Sequence, residues 1–401
     1  LALRQVLHRL APDFLLGSRV NDSERLMEGG RVFDRLQRVY YYLGEDIPLL
    51  LANLYTLNLS EQARPSAELA MAYANAAAVA GILPAHKLAD RYFALAVATL
   101  RVAPDPAVAS YIEMLKAVHV GGIGHIADAT RHAESAISLA EQVGFFRRRD
   151  ESLAIRVQLE LNAGHVELAS PWLERLDSSA RRRGDVHMRC WAALLSAQRA
   201  ILAGDMTEAR TAIASVAPDL DKVGRPERIW AAGLEAYTAY RSHEIQLALE
   251  AADRAARLIA LGPPAHVYCF DAYARVAEVR LALWEARSPL RSASDLARDA
   301  RDACRVLLRS SRLFPIAGPA ALLHEGSRRW IKGQRHRARR LWLRGRAAAR
   351  QMMLPYYEAR LDLALANTLS KEIERTALAD AGAKLLSDWK IVDGRDAQPA
   401  E

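Results

Sequence analysis

The chain has 401 residues, 51% apolar, 25% charged and 7% aromatic, with a formal net charge of +8. That balance excludes a disordered chain, and spread over this length the positive surplus does not by itself mark a nucleic-acid binder. Cys190, Cys269 and Cys304 form no C-x-x-C pair, so neither a disulfide framework nor a zinc site is indicated and a reducing cytoplasm is expected. No apolar run reaches the roughly 20 residues that span a bilayer. Arg4, His8 and Arg9 interrupt the opening apolar pattern, unlike a signal peptide. The chain opens on Leu1 rather than Met, and the expectation is a fragment with something upstream removed.

In chain order, residues 1 to 16 predict a short helix broken by Pro12. Asn21 to Glu24 then offers an N-cap to a helix with Leu26, Val32, Leu36, Val39 and Tyr40. Gly44 opens a return helix with Ile47, Leu50, Leu54 and Leu57 on one face. At Pro84 the same step recurs ahead of Leu88, Tyr92, Leu95 and Thr99. The signature is clearest in Gly124-His-Ile-Ala-Asp-Ala129, Gly164-His-Val-Glu-Leu-Ala169 and Gly204-Asp-Met-Thr-Glu-Ala209, a period of 40 residues. His243 with Ala248, Ser292 with Ala297 and Gly333 with Ala338 bring the copies to eight.

The glycine suits a left-handed residue at a helix end, Asp205 can accept from the free N–H groups of the next helix, and the alanine belongs where two helices approach most closely. The sixth-to-seventh step is stretched to 49 residues around Arg287-Ser288-Pro289, and Gly262-Pro263-Pro264 makes a stiff turn, so a bend is expected at either. Helices from Pro355 to about Ser370 and from about Ile373 to Trp389 should cap the stack. The expected fold is all-α, a right-handed α-α superhelix or tetratricopeptide-like solenoid of about eight helix pairs. Residues 1–20 would be a junction helix, 21–390 the repeat domain and 391–401 a polar tail.

No catalytic residue, cofactor site or metal site emerges. There is no G-x-x-x-x-G-K-[ST] loop, and Gly121-Gly122-Ile123-Gly124 lacks the strand and spacing of a dinucleotide fingerprint. His125, Asp128 and His132 could share a helix face, but His125 holds the repeat position of His165 and His243, which makes it a turn residue. Paired carboxylates such as Glu134 with Glu141 or Asp295 with Asp299 fall on solvent faces, and no nucleophile elbow is present.

Two surfaces are candidates for partner binding. The first is a concave groove carrying Arg156, Glu160, Gln198, Arg199, Tyr237 and Arg241. The second is the stretch from Arg328 to Arg350, free of acids, in which Arg335, Arg339, Arg340 and Arg344 stand among Trp330 and Trp342. The groove favours an acidic protein or peptide, an upstream domain of the same chain among them, and the second stretch could hold phosphate or an acidic partner segment. The plainer reading of the second puts Leu341, Gly345, Ala348 and Met352 in a buried stripe and leaves the arginines as its wet side. The triplets Arg147 to Arg149 and Arg181 to Arg183 read as helix-end cations.

Ser179-Ala-Arg-Arg-Arg-Gly-Asp185 with Trp191, and Arg339-Arg-Leu-Trp-Leu-Arg-Gly-Arg-Ala-Ala-Ala349 leading to Pro355-Tyr-Tyr-Glu-Ala359, resemble a known group. Tyr40 to Asp46, Asn58 to Ala63, Pro65-Ser66 and Glu68 to Ala70 add to the likeness. It resembles the C-terminal tetratricopeptide-like half of large bacterial signalling proteins, in which an adenylate/guanylate cyclase or protein-kinase domain precedes an AAA-type ATPase module. The resemblance implies a non-enzymatic repeat region that binds a protein or ligand and regulates the upstream module. The alternative is the repeat region of an ATPase-type transcriptional regulator, which would carry a DNA-binding helix-turn-helix after the repeats; only about a dozen polar residues follow Trp389.

Overall fold

Wherever apolar residues recur at three and four, the chain is helical. The computed structural model describes residues 1–10, 15–17, 19–264, 266–369 and 371–392, and among these the regular structure is nineteen α-helices with short 3₁₀ segments and no strand. Pro12 and the tail from Asp393 to Glu401 lie outside the described residues. Successive helices pack as antiparallel pairs and the pairs stack, an α-α solenoid of tetratricopeptide type. The chain forms two compact units, Leu1–Val120 with Ala127–Ser152, and Gly121–Ile126 with Leu153–Glu401.

The turns follow the 40-residue period. In the second unit the helix Val186–Ala203 ends on Gly204 at φ 82, whose N–H donates to the Ile201 carbonyl at 3.2 Å while the Asp205 N–H reaches that of Ala200 at 2.9 Å. The Asp205 carboxylate then accepts from the Glu208 N–H at 2.7 Å and starts the helix Met206–Val216. Gly124, Gly164 and Gly333 adopt the same left-handed backbone at φ 95, 81 and 74, and His243 adopts it at φ 60 without being glycine.

The alanines five positions after these turn residues are sealed. Ala129, Ala169, Ala209, Ala248 and Ala338 have no accessible surface. The stretched seventh copy differs by one residue. Ser292 itself caps the helix Ala293–Leu313, its Oγ accepting from the Asp295 N–H at 3.1 Å, so it corresponds to Asp205 rather than to Gly204. Leu296 therefore occupies the sealed position and Ala297 is only half-buried.

In the first helix pair, Ser23–Leu43 and Asp46–Ser60, the expected stripes are only partly buried: Leu26 and Leu57 are buried and Leu50 and Leu54 half-buried. Val32, Leu36 and Val39 are exposed, Ile47 is 73% exposed, and Asn53 and Thr56 are buried instead.

At the other end, the helices Pro355–Ala366 and Glu372–Asp388 are followed by a short strap that turns at Lys390. The Trp389 ring lies 4.5 Å from that of His165, the Val392 N–H donates to the Leu202 carbonyl at 2.9 Å, and Lys390 pairs with Glu167 at 2.5 Å. Ile391 and Val392 sit against Gly164 and Gly204, where an added Cβ would fall 2.8 and 2.7 Å from their side chains. At Gly184 (φ 63) the same Cβ would meet nothing.

Two costs can therefore be separated. Gly184→Ala should lose about 1–2 kcal/mol from the left-handed backbone alone. Gly204→Ala should lose more, and adding Val392→Ala should return it toward the Gly184→Ala value, as read by urea unfolding.

Candidate interaction surfaces

The helix Phe146–Asn162 carries the first expected groove residues. Arg156 pairs with Glu160 one turn later and lies 5.2 Å over the Trp172 ring, and Glu160 also receives the His165 Nδ1. Burial opposes ionisation of Glu160, but the hydrogen bonds from His165 and Arg156 outweigh it and hold the carboxyl below its usual range. Gln158 Nε2 donates to Gln198 Oε1 at 3.2 Å across one repeat, and Arg199 pairs with Glu208. In the helix Arg225–Arg241, Arg241 Nη1 donates to the Tyr237 hydroxyl at 3.3 Å. Arg156, Glu160, Gln198 and Tyr237 are buried, whereas Arg199 and Arg241 are half-buried. These side chains satisfy one another.

Tyr237 also belongs to a cluster that sequence reasoning missed. The Arg275 guanidinium, 2% exposed, stacks 4.4 Å over its ring, and burial pushes the phenol well above its usual range. Arg275 Nη1 and Arg360 Nη1 donate to the Tyr356 hydroxyl at 3.0 and 3.1 Å. Arg360 grips Glu278 through both terminal nitrogens, at 2.7 and 2.9 Å, and Arg275 stands 3.4 Å from Asp271 and 3.8 Å from Glu278. Burial disfavours the Glu278 carboxylate, but Arg360 and Arg275 prevail and bring its pKa down to about 2. Glu278 and Arg360 come from the helices Phe270–Glu285 and Pro355–Ala366 and lie 82 residues apart across the stretched step, so the 40-residue period does not point to them.

The helix Arg335–Gln351 presents the second surface. Ala338, Trp342, Gly345 and Ala349 are buried, so Gly345 is inside as expected, whereas Trp342 and Ala349 take the buried places expected of Leu341 and Ala348, which with Met352 are half-buried. Trp342 Nε1 donates to the Leu323 carbonyl at 3.0 Å. At the start of the basic stretch Arg328 is spent internally, making a two-pronged bond of 2.7 and 2.7 Å to Glu325, while Arg346 reaches Asp362 at 3.1 Å and Arg350 reaches Glu358 at 2.6 Å. Arg335 is exposed and stacks 4.4 Å over Trp330. Arg337, Arg339, Arg340 and Arg344 are exposed and have no carboxylate partner among the described residues.

His132 Nδ1 lies 2.6 Å from Glu113 and Asp128 pairs with Arg131, so both have protein partners. No group of His, Cys, Asp or Glu among the described residues is arranged to hold a metal ion. No described helix is long and apolar enough to cross a membrane.

This packing resembles that of a solved structure, the crystal structure of Rap protein complexed with Competence and Sporulation Factor. The TM-score is 0.57 at 15% identity, over 82% of this chain and 99% of that one. The fold is that of tetratricopeptide-like helical repeat proteins. No protein-family model matches the chain, and no curated protein matches it. At this identity the likeness is one of fold alone.

The buried cluster makes stability depend on pH. A carboxyl depressed to about 2 contributes stability that is present above its unfolded value near 4.3 and is lost as pH falls toward 2. Glu278→Gln, which leaves Arg275 and Arg360 undercompensated, should cost about 3–5 kcal/mol at pH 7. The gap from wild type should shrink in denaturant titrations at pH 3.

Proposed function

We propose that this chain is a non-enzymatic cytoplasmic scaffold whose helix Arg335–Gln351 binds an acidic protein segment. In the setting that the sequence resemblance suggests, occupancy of that surface regulates an ATPase, cyclase or kinase module of a bacterial signalling protein. The observation that carries the reading is the exposed set Arg337, Arg339, Arg340 and Arg344, without carboxylate partners among the described residues, beside Arg335 stacked on Trp330. Neighbouring arginines of the same stretch are neutralised by Glu325, Glu358 and Asp362, so the exposed ones form a distinct cationic strip.

Guanidinium forks pair two-pronged with carboxylates, and Trp330 adds an apolar edge for a backbone or aromatic group. The solved Rap protein complexed with Competence and Sporulation Factor supports a binding role for this fold. The groove residues Arg156, Glu160, Gln198 and Tyr237 are committed to internal pairs, so the outer strip is the favoured surface.

The test is fluorescence anisotropy with a labelled polyglutamate peptide. Wild type should bind it with an affinity that falls as salt shortens the Debye length below about 10 Å. Combining Arg339→Glu, Arg340→Glu and Arg344→Glu should weaken binding at least tenfold at unchanged melting temperature. Equal binding by both proteins, or a clear preference for duplex DNA over polyglutamate, would count against the proposal.

A further inference from the structure

The repeat edge around Gly164 and Gly204 is covered by the chain itself. These two turns leave notches where a side chain would stand, and Ile391 Cδ1 and Val392 Cγ2 fill them, 2.8 and 2.7 Å from the place of a Cβ. The Trp389 ring lies against that of His165, whose Nδ1 meets the Glu160 carboxylate, and the Val392 N–H donates to the Leu202 carbonyl at 2.9 Å. The turn at Gly184 has no such cover.

This cover is lightly held. Of the helix Glu372–Asp388 that carries it, Gly382 and Leu386 alone are buried. The N–H groups of Trp389, Lys390 and Ile391 bond back to Leu385, Ser387 and Leu386 of that same helix, which leaves the Val392 N–H to tie the strap to the repeats. Trp389 and Val392 are 38% and 46% exposed, and the Lys390–Glu167 pair, open to solvent on both sides, holds little. Lys390 also takes φ 52, a left-handed backbone that disfavours a residue with a Cβ. By contrast the helix Val186–Ala203, to which Val392 is tied, has Leu194, Leu195 and Ala197 sealed. The strap can therefore open while the repeats stay folded.

We infer that the edge from Gly164 to Gly204 is a peptide site that the strap autoinhibits, and that its partner is a short uncharged segment: an aromatic residue, a glycine and two β-branched aliphatic residues. That chemistry follows from what the strap uncovers. The His165 ring receives an aromatic face, the two notches receive the aliphatic pair, and the Leu202 carbonyl, in the last turn of its helix, accepts one N–H. Glycine belongs at the second place because the backbone there is left-handed, so such a segment is free of the strain that Lys390 carries. An acidic segment is disfavoured, because Glu160 and Glu167 stand on either side of His165. Both the site and the class of ligand differ from those of the arginine strip, and neither depends on that reading.

The probe is a fluorescein-labelled, amidated peptide in which a serine spacer precedes Trp-Gly-Ile-Val, read by anisotropy against the full chain. The variant Ile391→Asp with Val392→Asp, which disengages the strap, should bind it saturably, and wild type at least tenfold more weakly because its strap competes. Adding Gly204→Ala to that variant should lower affinity at least tenfold, since the new methyl group occupies a notch, whereas the Arg339, Arg340 and Arg344 charge reversals should leave binding intact. Circular dichroism and melting temperature will establish that each variant is folded. In wild type, hydrogen exchange at the Val392 amide should be at least a hundredfold faster than at Leu195. Four results would each overturn the inference: no saturable binding by the strap variant, equal affinity of wild type and the strap variant, affinity unchanged by Gly204→Ala or by aspartate in place of the peptide's aliphatic pair, or a Val392 amide as protected as that of Leu195.

Discussion

The structure depends on close approach of helices at residues with almost no side chain. Ala169 and Ala209 lie five residues after left-handed glycines and have no accessible surface, and Ala248 holds the same place after His243. An interior this dense has no room for an extra methylene without moving backbone. The turn sets where the next helix starts, Asp205 and Asp185 cap that start, and the alanine sets how near it comes. Where the register changes at Ser292, Leu296 takes the sealed place.

Close packing brings residues far apart in sequence into contact across stacked helices. The ionic cluster around Glu278 is a consequence. Tyr356 accepts from two arginines, one of them 81 residues away, and Glu278 is held by an arginine 82 residues away. Removing one member leaves an uncompensated charge, so the cluster constrains the arrangement of the inner helices more than it adds to net stability.

The turns, caps and sealed alanines were legible because each depends on a residue type at a fixed spacing: Gly204 for its positive φ, Asp205 for its carboxylate, Ala209 for its size. Helix rotation was less legible. Val32, Leu36 and Ile47 satisfy a helical period whichever way they face, and the sense is decided by what lies inside, where Leu26 and Leu57 are buried and Asp34 and Asn53 find polar partners. For Arg335–Gln351 Gly345 is buried as the pattern expects, but Trp342 displaces Leu341 from the inside, where its Nε1 finds the Leu323 carbonyl, a contact the pattern does not encode. Arg156 and Tyr237 were singled out as polar residues on an inner helix; whether they face a groove or each other's neighbours depends on the distance between repeats, which a single sequence does not carry. The exposure of Arg335, Arg339, Arg340 and Arg344 followed more directly, because no acid lies within reach along their own helix.

The most direct measurement is the unfolding free energy of Ala209→Leu beside Ala214→Leu, two substitutions on one helix that differ in burial. If sealed alanines set the spacing of the repeats, Ala209→Leu should lose about 1–3 kcal/mol. The exposed Ala214→Leu should stay within about 0.5 kcal/mol of wild type. Equal stability of the two variants would contradict that constraint and the repeat register built on it.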